Sequence, residues 1–219
     1  MDLGQPGMRG TEYLALLVVI AKLHYVPSLV WMEGFFSASR SKLPELGPVQ
    51  LAGMIRALAK VELHAWDLKS GPSFKPWISA FLNLTRAKMH MFNIDEKVRI
   101  ITCLGEISFK PSRDWLGDFS AALRNQLGGA DSTLLSKAVM AMATLGYTPD
   151  PVFMKAYYLQ LYSKLPLFDD RDLTTAAQVM LMLRRFLTHA CTCTCMQVVT
   201  HAGRHVHMRV VTRAHACGS

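Results

Sequence analysis

Cationic side chains recur at fixed intervals in this sequence, close to the ends of predicted helices. They are Arg40, Lys42, Arg86, Lys88, Arg124 and Lys164. The spacing is 46 from Arg40 to Arg86 and from Lys42 to Lys88, 38 from Arg86 to Arg124, and 76, twice 38, from Lys88 to Lys164. Repeated at one structural position, such side chains make a stripe that is suited to tracking a phosphate backbone. Lys and Arg also favour the last turn of a helix because of the helix macrodipole, and this alternative is compatible with the first.

A second set of side chains occupies one face of the predicted helices that precede these ends. Three positions spaced by three and four residues fall on the same side of a helix. In successive helices the face is often polar, and its candidate contact residues are Lys22, Arg56, Lys60, Arg99, Thr102, Lys137, Thr144 and Gln178. Modular RNA readers contact one base with two or three side chains from each repeat, so this face is a candidate base-reading surface. The alternative is an ordinary solvated face.

The composition limits the classes of function that fit. Lys+Arg is 24 and Asp+Glu is 16, and the resulting net charge of +8 suits a polyanionic partner such as nucleic acid or a membrane surface. The longest apolar run, residues 14–21, is far shorter than the roughly 20 residues that span a bilayer, so we expect no membrane partner. The sequence has no phosphate-binding glycine loop and no carboxylate cluster, and Cys103 lies within an apolar helix as a small core residue. We therefore expect neither an enzyme nor a cofactor.

The last part of the chain has a different composition. Residues 187–219 hold four of the five Cys and five of the eight His. The Cys residues around Cys193 alternate with Thr, whereas structural zinc sites favour Cys pairs separated by two to four residues, so we expect no metal site. The tract resembles the translation of a GT/CA-rich DNA repeat. It is predicted to be a low-complexity, disordered tail.

A 38-residue period underlies the spacing of the cations near the helix ends and of the polar face on the preceding helices. Trp77, Trp115 and Phe153 are 38 residues apart, and an aromatic residue follows each of them four positions later. Trp31 begins the same pattern one unit earlier, with eight extra residues that we place near 64–71. Because these aromatic rings keep register with apolar columns, core packing is the favoured interpretation over stacking on bases.

Each unit is predicted to be a helix, a short turn and a second helix, because the apolar columns repeat at helical spacing. First helices are predicted at about 12–23, 49–62, 95–107, 132–145 and 170–186, and second helices at about 29–40, 74–88, 112–126 and 150–164. Stacked helix pairs bury a continuous core that one pair cannot make alone. The predicted fold is all-α, an α-solenoid of stacked helix pairs. It comprises a leader at 1–11, an array of four units and part of a fifth at 12–186, and the tail at 187–219.

Two phrases of the sequence resemble a known repeat family. They are Ala57-Leu58-Ala59-Lys60 and the run from Met142 through Leu145-Gly146 and Pro149 to Phe153. An alanine- and leucine-rich helix, a Leu-Gly turn, prolines and then an aromatic residue make residues 12–186 similar to the octotricopeptide repeat. The likeness is weakest at 51–93, where Val61-Glu62 replaces the Leu-Gly turn and extra residues are inserted.

This resemblance implies an organellar protein, in a chloroplast or a mitochondrion, that binds single-stranded RNA and acts in RNA stability, processing or translation. Other RNA-processing proteins are the further partners that it implies. The family is related to FAST-kinase-like proteins, which often end in a RAP domain. No RAP-like segment is visible here, so we expect a fragment of a longer protein. A scaffold for protein–protein interactions is the alternative function, since helical repeats serve both uses.

Overall fold

The computed structural model describes residues 7–61, 71–167, 174, 177–178, 181, 195–200 and 206–211. The chain divides into two compact units, residues 1–167 and residues 168–219. The regular elements described in the first unit are all helical, and the strands described lie in the second unit. The all-α class predicted for the repeat array is therefore confirmed over the described residues.

Eight α-helices are described in the first unit, and they alternate between two roles. The odd helices are α1 (Gly10–Lys22), α3 (Pro48–Lys60), α5 (Ile94–Glu106) and α7 (Ser132–Thr144). The even helices are α2 (Leu29–Arg40), α4 (Phe74–Ala87), α6 (Arg113–Arg124) and α8 (Pro151–Lys164). A single 3-10 turn follows each even helix, at Leu43–Glu45, Met89–Met91, Leu127–Gly129 and Leu165–Leu167.

The eight helices lie within two residues of the predicted ranges. The helix α1 begins at Gly10, two residues inside the predicted leader. Within three of the pairs the connection has six residues (23–28, 107–112 and 145–150), whereas the connection from α3 to α4 spans 61–73. The predicted insertion at 64–71 lies outside the described residues apart from residue 71. The predicted helix at 170–186 lies outside the described residues, apart from helical backbone at 174, 177, 178 and 181.

Side-chain caps begin most of these helices. The carboxylate of Asp150 accepts a hydrogen bond from the backbone N–H of Phe153 at 2.7 Å, and Asn93 forms a capping box with Glu96. Such a cap satisfies a backbone donor that has no partner inside the helix. The other side-chain caps are Ser28, Ser112 and Asp131.

Three of the four odd helices, α1, α5 and α7, are followed by a left-handed residue. Gly146 has a φ of +64°, and His24 and Ser108 occupy the corresponding positions of α1 and α5 with φ of 50° and 52°. After α7, the N–H of Tyr147 donates to the carbonyl of Met142 at 2.9 Å, which is the Schellman arrangement that favours glycine. The Leu-Gly turn noted in the sequence is this helix end.

Helices of the same kind pack on each other along the array. In one layer α1 contacts α3, α3 contacts α5 and α5 contacts α7, and in the other layer the even helices contact each other in the same order. The core lies between the layers. Trp77 and Phe153 are 0% exposed and Trp115 is 3% exposed, which confirms that these three residues are core residues. The indole N–H of Trp77 donates to Oγ of Ser39, and that of Trp115 donates to the carbonyl of Leu82, each at 3.0 Å.

Two strands lie in the segment that was predicted to be disordered. They are β1 (Cys195–Thr200) and β2 (Val206–Val211), which pair antiparallel with Cys195 opposite Val211. The prediction was wrong for these two segments. Val, whose branched side chain favours strands, occurs twice in β1 and three times in β2, and the low-complexity composition of the tail concealed this short-range signal.

Candidate nucleic-acid interface

The predicted base-reading residues of the first unit share one side of the odd helices. Lys22, Arg56, Lys60, Lys137 and Thr144 are exposed, and Arg99 and Thr102 are half-buried. Because each odd helix packs on the next, these seven residues form one surface, which we call the odd-helix face. Gln178 is also exposed, but it belongs to the second compact unit.

The odd-helix face carries a surplus of positive charge. Its cations are Lys22, Arg56, Lys60, Arg99 and Lys137, and none of them forms an ion pair with any residue that the structure describes. Glu106 is an exposed acid in the same register as Lys60. An unpaired, exposed cation keeps its full charge available to an anionic ligand.

A buried cysteine, Cys103, lies on α5 where that helix packs on α3, and charged side chains of both helices act on its thiol. Burial and the neighbouring carboxylate of Glu106 raise the pKa of the Cys103 thiol to about 12, and the nearby guanidinium groups of Arg56 and Arg99 oppose this increase. The thiol is therefore protonated at neutral pH and unsuited to nucleophilic attack, which agrees with its predicted role in the core. We call the contact between α3 and α5 at Cys103 the α3–α5 junction.

The two threonines of the odd-helix face differ in their bonding. Thr144 donates from Oγ1 to the carbonyl of Met140 at 3.0 Å. A Cβ built on Gly105 would lie 3.8 Å from Cγ2 of Thr144, so α5 and α7 approach closely at this point. In contrast, the buried Oγ1 of Thr102 has no hydrogen-bond partner among the described residues. Thr102 therefore keeps an unused hydroxyl beside the α3–α5 junction.

The predicted phosphate stripe lies at the ends of the even helices, and we call it the terminal row. Two of its lysines, Lys88 and Lys164, bridge from one unit to the preceding one. Lys88 donates from Nζ to the carbonyls of Leu46 at 2.8 Å and Pro44 at 3.3 Å, beside the 3-10 turn that follows α2. Lys164 makes the equivalent bonds to the carbonyls of Gly128 and Ala130. At the corresponding position of the third unit, Gln126 donates from Nε2 to the carbonyl of Phe92 at 3.1 Å.

The remaining members of the terminal row have different surroundings. Arg86 forms an exposed ion pair with Asp118, which joins α4 to α6, and Lys42 pairs with Glu45 at 3.0 Å. Arg40 and Arg124 have no ion-pair partner among the described residues. Lys88 and Lys164 thus donate to carbonyls of the preceding unit rather than to the last carbonyls of their own helices.

Sequence reasoning missed one charged residue altogether. Lys97 is 1% exposed and donates from Nζ to the carbonyl of Phe92 at 3.0 Å. Burial lowers the pKa of the Lys97 amine. The signal was present in the sequence, because the equivalent positions of the other odd helices are Tyr13, Leu51 and Leu135. A single lysine at a position that is apolar or aromatic in the other units indicates a buried side chain that needs a hydrogen-bond acceptor.

The described residues hold no group of three or more His, Cys, Asp and Glu side chains arranged to bind a metal ion. Within the same residues, no helix has the length and apolar character needed to cross a membrane.

No protein-family model matches the chain. The chain is 27% identical over 147 residues to the Tbc2 translation factor, chloroplastic, of Chlamydomonas reinhardtii. The match covers 66% of this chain but 12% of the translation factor. The chain is therefore similar to a small part of that protein.

Proposed function

We propose that this chain is a helical-repeat module that binds single-stranded RNA in the chloroplast. The observation that carries the proposal is the odd-helix face, where each odd helix presents at least one exposed or half-buried cation without an ion-pair partner among the described residues. Cations spaced along a stack of helices suit the regularly spaced phosphates of a nucleic-acid strand. The module would belong among the octotricopeptide-repeat proteins, which are related to the FAST-kinase-like proteins.

The similarity to a chloroplast translation factor supports the organelle and the general process. It favours the chloroplast over the mitochondrion, and a role in translation, RNA stability or RNA processing. Since the match spans 12% of that protein, the activity of the whole molecule is part of the proposal. In this proposal the chain acts by binding and carries out no chemical step.

The two sets of cations would have different roles in RNA binding. Side chains of the odd-helix face would read bases and also neutralise phosphates of the bound strand, so changing Arg56 or Arg99 should alter which sequences bind as well as the affinity. Arg40, Arg86 and Arg124 of the terminal row would contact phosphates, with Lys42, Lys88 and Lys164 beside them. Phosphate contacts contribute affinity without sequence preference.

The experiment is a salt titration of binding to several unrelated RNA oligonucleotides. Each neutralised phosphate of a single strand contributes about 0.7 to the slope of log affinity against log salt. We expect a steep fall of affinity with salt and measurable differences between oligonucleotides. A folded chain that binds no RNA, or that binds with no salt dependence, would contradict the proposal.

A protein-interaction scaffold is the second candidate, and one observation favours it. Val152, Leu159 and Tyr162 lie along one side of α8 and are about 60% exposed (60%, 61% and 59%). The equivalent positions of α4 are Pro76, Asn83 and Arg86. Apolar groups exposed in a stripe suit contact with another protein surface. Binding of a protein ligand that α8 variants abolish, in a chain that binds no RNA, would establish this second function.

A further inference from the structure

The side of α1 that points away from α3 exposes apolar residues at positions that the later units bury. Val19 is 51% exposed, whereas the residues at the equivalent positions of the other odd helices are all buried: Ala57, Cys103 and Ala141. Leu23, directly after α1, is 71% exposed, and its equivalents are buried as well: Val61, Ile107 and Leu145. In the later units a neighbour therefore covers these positions, and the described residues supply no such neighbour for α1.

The contacts within the odd layer show what kind of neighbour this is. A Cβ built on Gly53 of α3 would lie 3.6 Å from Cδ1 of Leu14 on α1, and Thr144 of α7 approaches α5 in the same way. The residues of α1 at the positions of Gly53 and Thr144 are Ala15 and Lys22, and both are exposed. Each later odd helix thus uses this side to pack on another helix. We call the uncovered surface the α1 end face, and its residues are Glu12, Ala15, Val19, Lys22 and Leu23.

The α1 end face carries opposite charges at its two ends. Glu12 lies in the first turn of α1 and Lys22 in the last turn, and both side chains are exposed. Neither forms an ion pair with any residue that the structure describes. The backbone N–H of Arg9 donates to one oxygen of Glu12 at 2.7 Å, which holds the carboxylate in position. A covering helix with a cation opposite Glu12 and an acid opposite Lys22 would complement both charges.

Two-fold symmetry supplies these groups from the same surface. Glu12 and Lys22 are centred on position 17 of the chain, and so are Ala15 and Val19. A second α1 helix that runs antiparallel about this centre therefore places its Lys22 opposite Glu12 and its Val19 opposite Ala15. The larger apolar side chain then meets the smaller one, and each charge meets its opposite. An unrelated helix need not carry these groups in this order, whereas a second copy always does.

We propose that the α1 end face binds a second copy of this chain, with the two α1 helices antiparallel about a two-fold axis at position 17. Glu12 of each copy pairs with Lys22 of the other, around an apolar centre of Ala15, Val19 and Leu23. Because a two-fold contact uses the same surface on both copies, association ends at the dimer. The contact uses one cation of the odd-helix face and leaves those of α3, α5 and α7 to RNA. The inference does not depend on RNA binding.

The first test is sedimentation equilibrium of the full chain over a wide range of concentrations. A contact between single helices is small, so we expect a dimer with a dissociation constant on the order of 10 µM. A chain that stays monomeric up to about 300 µM, well above that value, would overturn the inference and leave the α1 end face to a different partner.

Charge reversal tests the antiparallel register. The variants Glu12→Lys and Lys22→Glu should each weaken association about 10- to 100-fold, because each places like charges opposite each other at both ends of the contact. An equimolar mixture of the two variants should associate about as tightly as the wild type, since one copy then carries only bases and the other only acids at these positions. Partial unfolding of a variant cannot produce such a gain on mixing. A mixture that stays monomeric would overturn the proposed contact.

The variant Val19→Asp tests the apolar centre. It places a charge where two valines and two alanines meet, so it should weaken association at least about 100-fold. Val49→Asp is the matched control, because Val49 is an exposed valine in the first turn of α3, and its dissociation constant should equal that of the wild type. An unchanged dissociation constant for Val19→Asp would mean that the dimer forms through another surface, such as the exposed side of α8, and would overturn the inference.

Discussion

The odd-helix face and the terminal row both place cations on successive helix pairs, but the surroundings of those cations differ. On the odd-helix face, Arg56 and Lys137 have no ion-pair partner among the described residues. In the terminal row, Lys88 and Lys164 donate to backbone carbonyls of the preceding unit. Both sets repeat because the fold repeats. A cation that recurs in successive units can therefore either stabilise the packing of one unit on the next or bind a ligand.

The largest expected effect is on RNA binding by the odd-helix face. The triple variant Arg56→Gln, Lys60→Gln, Arg99→Gln should flatten the salt slope by about 2 and lower the affinity about 50-fold near 0.15 M salt. The measurement is a salt titration by fluorescence anisotropy. The thermal midpoint should change little, because the residues have no ion-pair partners to lose.

The terminal row provides the comparison for that experiment. The double variant Arg86→Gln, Arg124→Gln should flatten the slope by about one to two units if both arginines contact phosphates. It should also cost at most about 1 kcal/mol of stability, since the ion pair of Arg86 is exposed. A slope that is unchanged here but reduced in the triple variant would assign RNA binding to the odd-helix face alone.

The second prediction concerns stability at the joint between units. Lys88→Met should lower the free energy of unfolding by about 1–3 kcal/mol, because the half-buried lysine donates to two carbonyls that the methionine cannot satisfy. Urea denaturation measures this change. Arg40→Met, at an exposed position of the same row, is the matched control and should be nearly neutral. If Lys88→Met and Arg40→Met lower the free energy of unfolding equally, the hydrogen bonds of Lys88 do not stabilise the contact between units.

The third prediction concerns the helix ends of the odd layer. Gly146→Ala should destabilise the array by about 1 kcal/mol, because alanine is strained at a φ of +64°. The new Cβ would also lie 3.2 Å from Nζ of Lys110. Gly128→Ala, where the φ is not positive and no atom lies within 4 Å of the added carbon, should cost far less. Comparable thermal midpoints for the two variants would contradict this account.

The smallest effect is expected at Lys97. Replacing this buried lysine with leucine should change stability by less than about 1 kcal/mol at pH 7, because the lost hydrogen bond is offset by the removed desolvation cost. Gln126 would still donate to the carbonyl of Phe92.

The pH dependence of the Lys97 variant gives the sharper test. Burial lowers the pKa of Lys97 in the folded state below its ordinary value of 10.5. At a pH between the lowered pKa and 10.5, the unfolded chain therefore binds more protons than the folded chain. Wild-type stability relative to Lys97→Leu should therefore rise as the pH increases through that window. A difference that stays constant with pH would mean that the amine has no lowered pKa. Urea denaturation of both proteins at several pH values measures it.

The helix pairs were predictable because their determinants are local and repeated. Apolar residues at helical spacing and caps such as Asn93 and Asp150 lie within one turn of the helix ends that they specify. The burial of Trp77 and Trp115 followed from their register with apolar columns. The side of each odd helix that faces outward was predictable for the same reason.

The partners of the site residues were not predictable in this way. The acceptors of Lys88 and Lys164 are backbone carbonyls, which carry no residue identity and are positioned only when two units pack. The approach of Arg56 to Cys103 depends on the packing of α3 on α5, which periodicity does not specify. The strands at 195–200 and 206–211 were not predicted, because the low-complexity composition of the tail favoured disorder over the alternation of side chains that marks a strand.

The three side-chain bridges that follow the even helices run in one direction along the chain. In each of these three the donor belongs to the later unit and the carbonyl to the earlier one, as with Lys88 and Leu46, Gln126 and Phe92, and Lys164 and Ala130. During synthesis the earlier unit leaves the ribosome first, so every donor emerges to meet an acceptor that is already folded. Shortening the chain from its C-terminus removes donors and leaves all earlier bridges complete. Removing a unit from the N-terminus instead deletes the carbonyls that accept hydrogen bonds from a lysine of the next unit, and that lysine is left without them. Loss of a unit should therefore destabilise the remaining array more at its N-terminus than at its C-terminus.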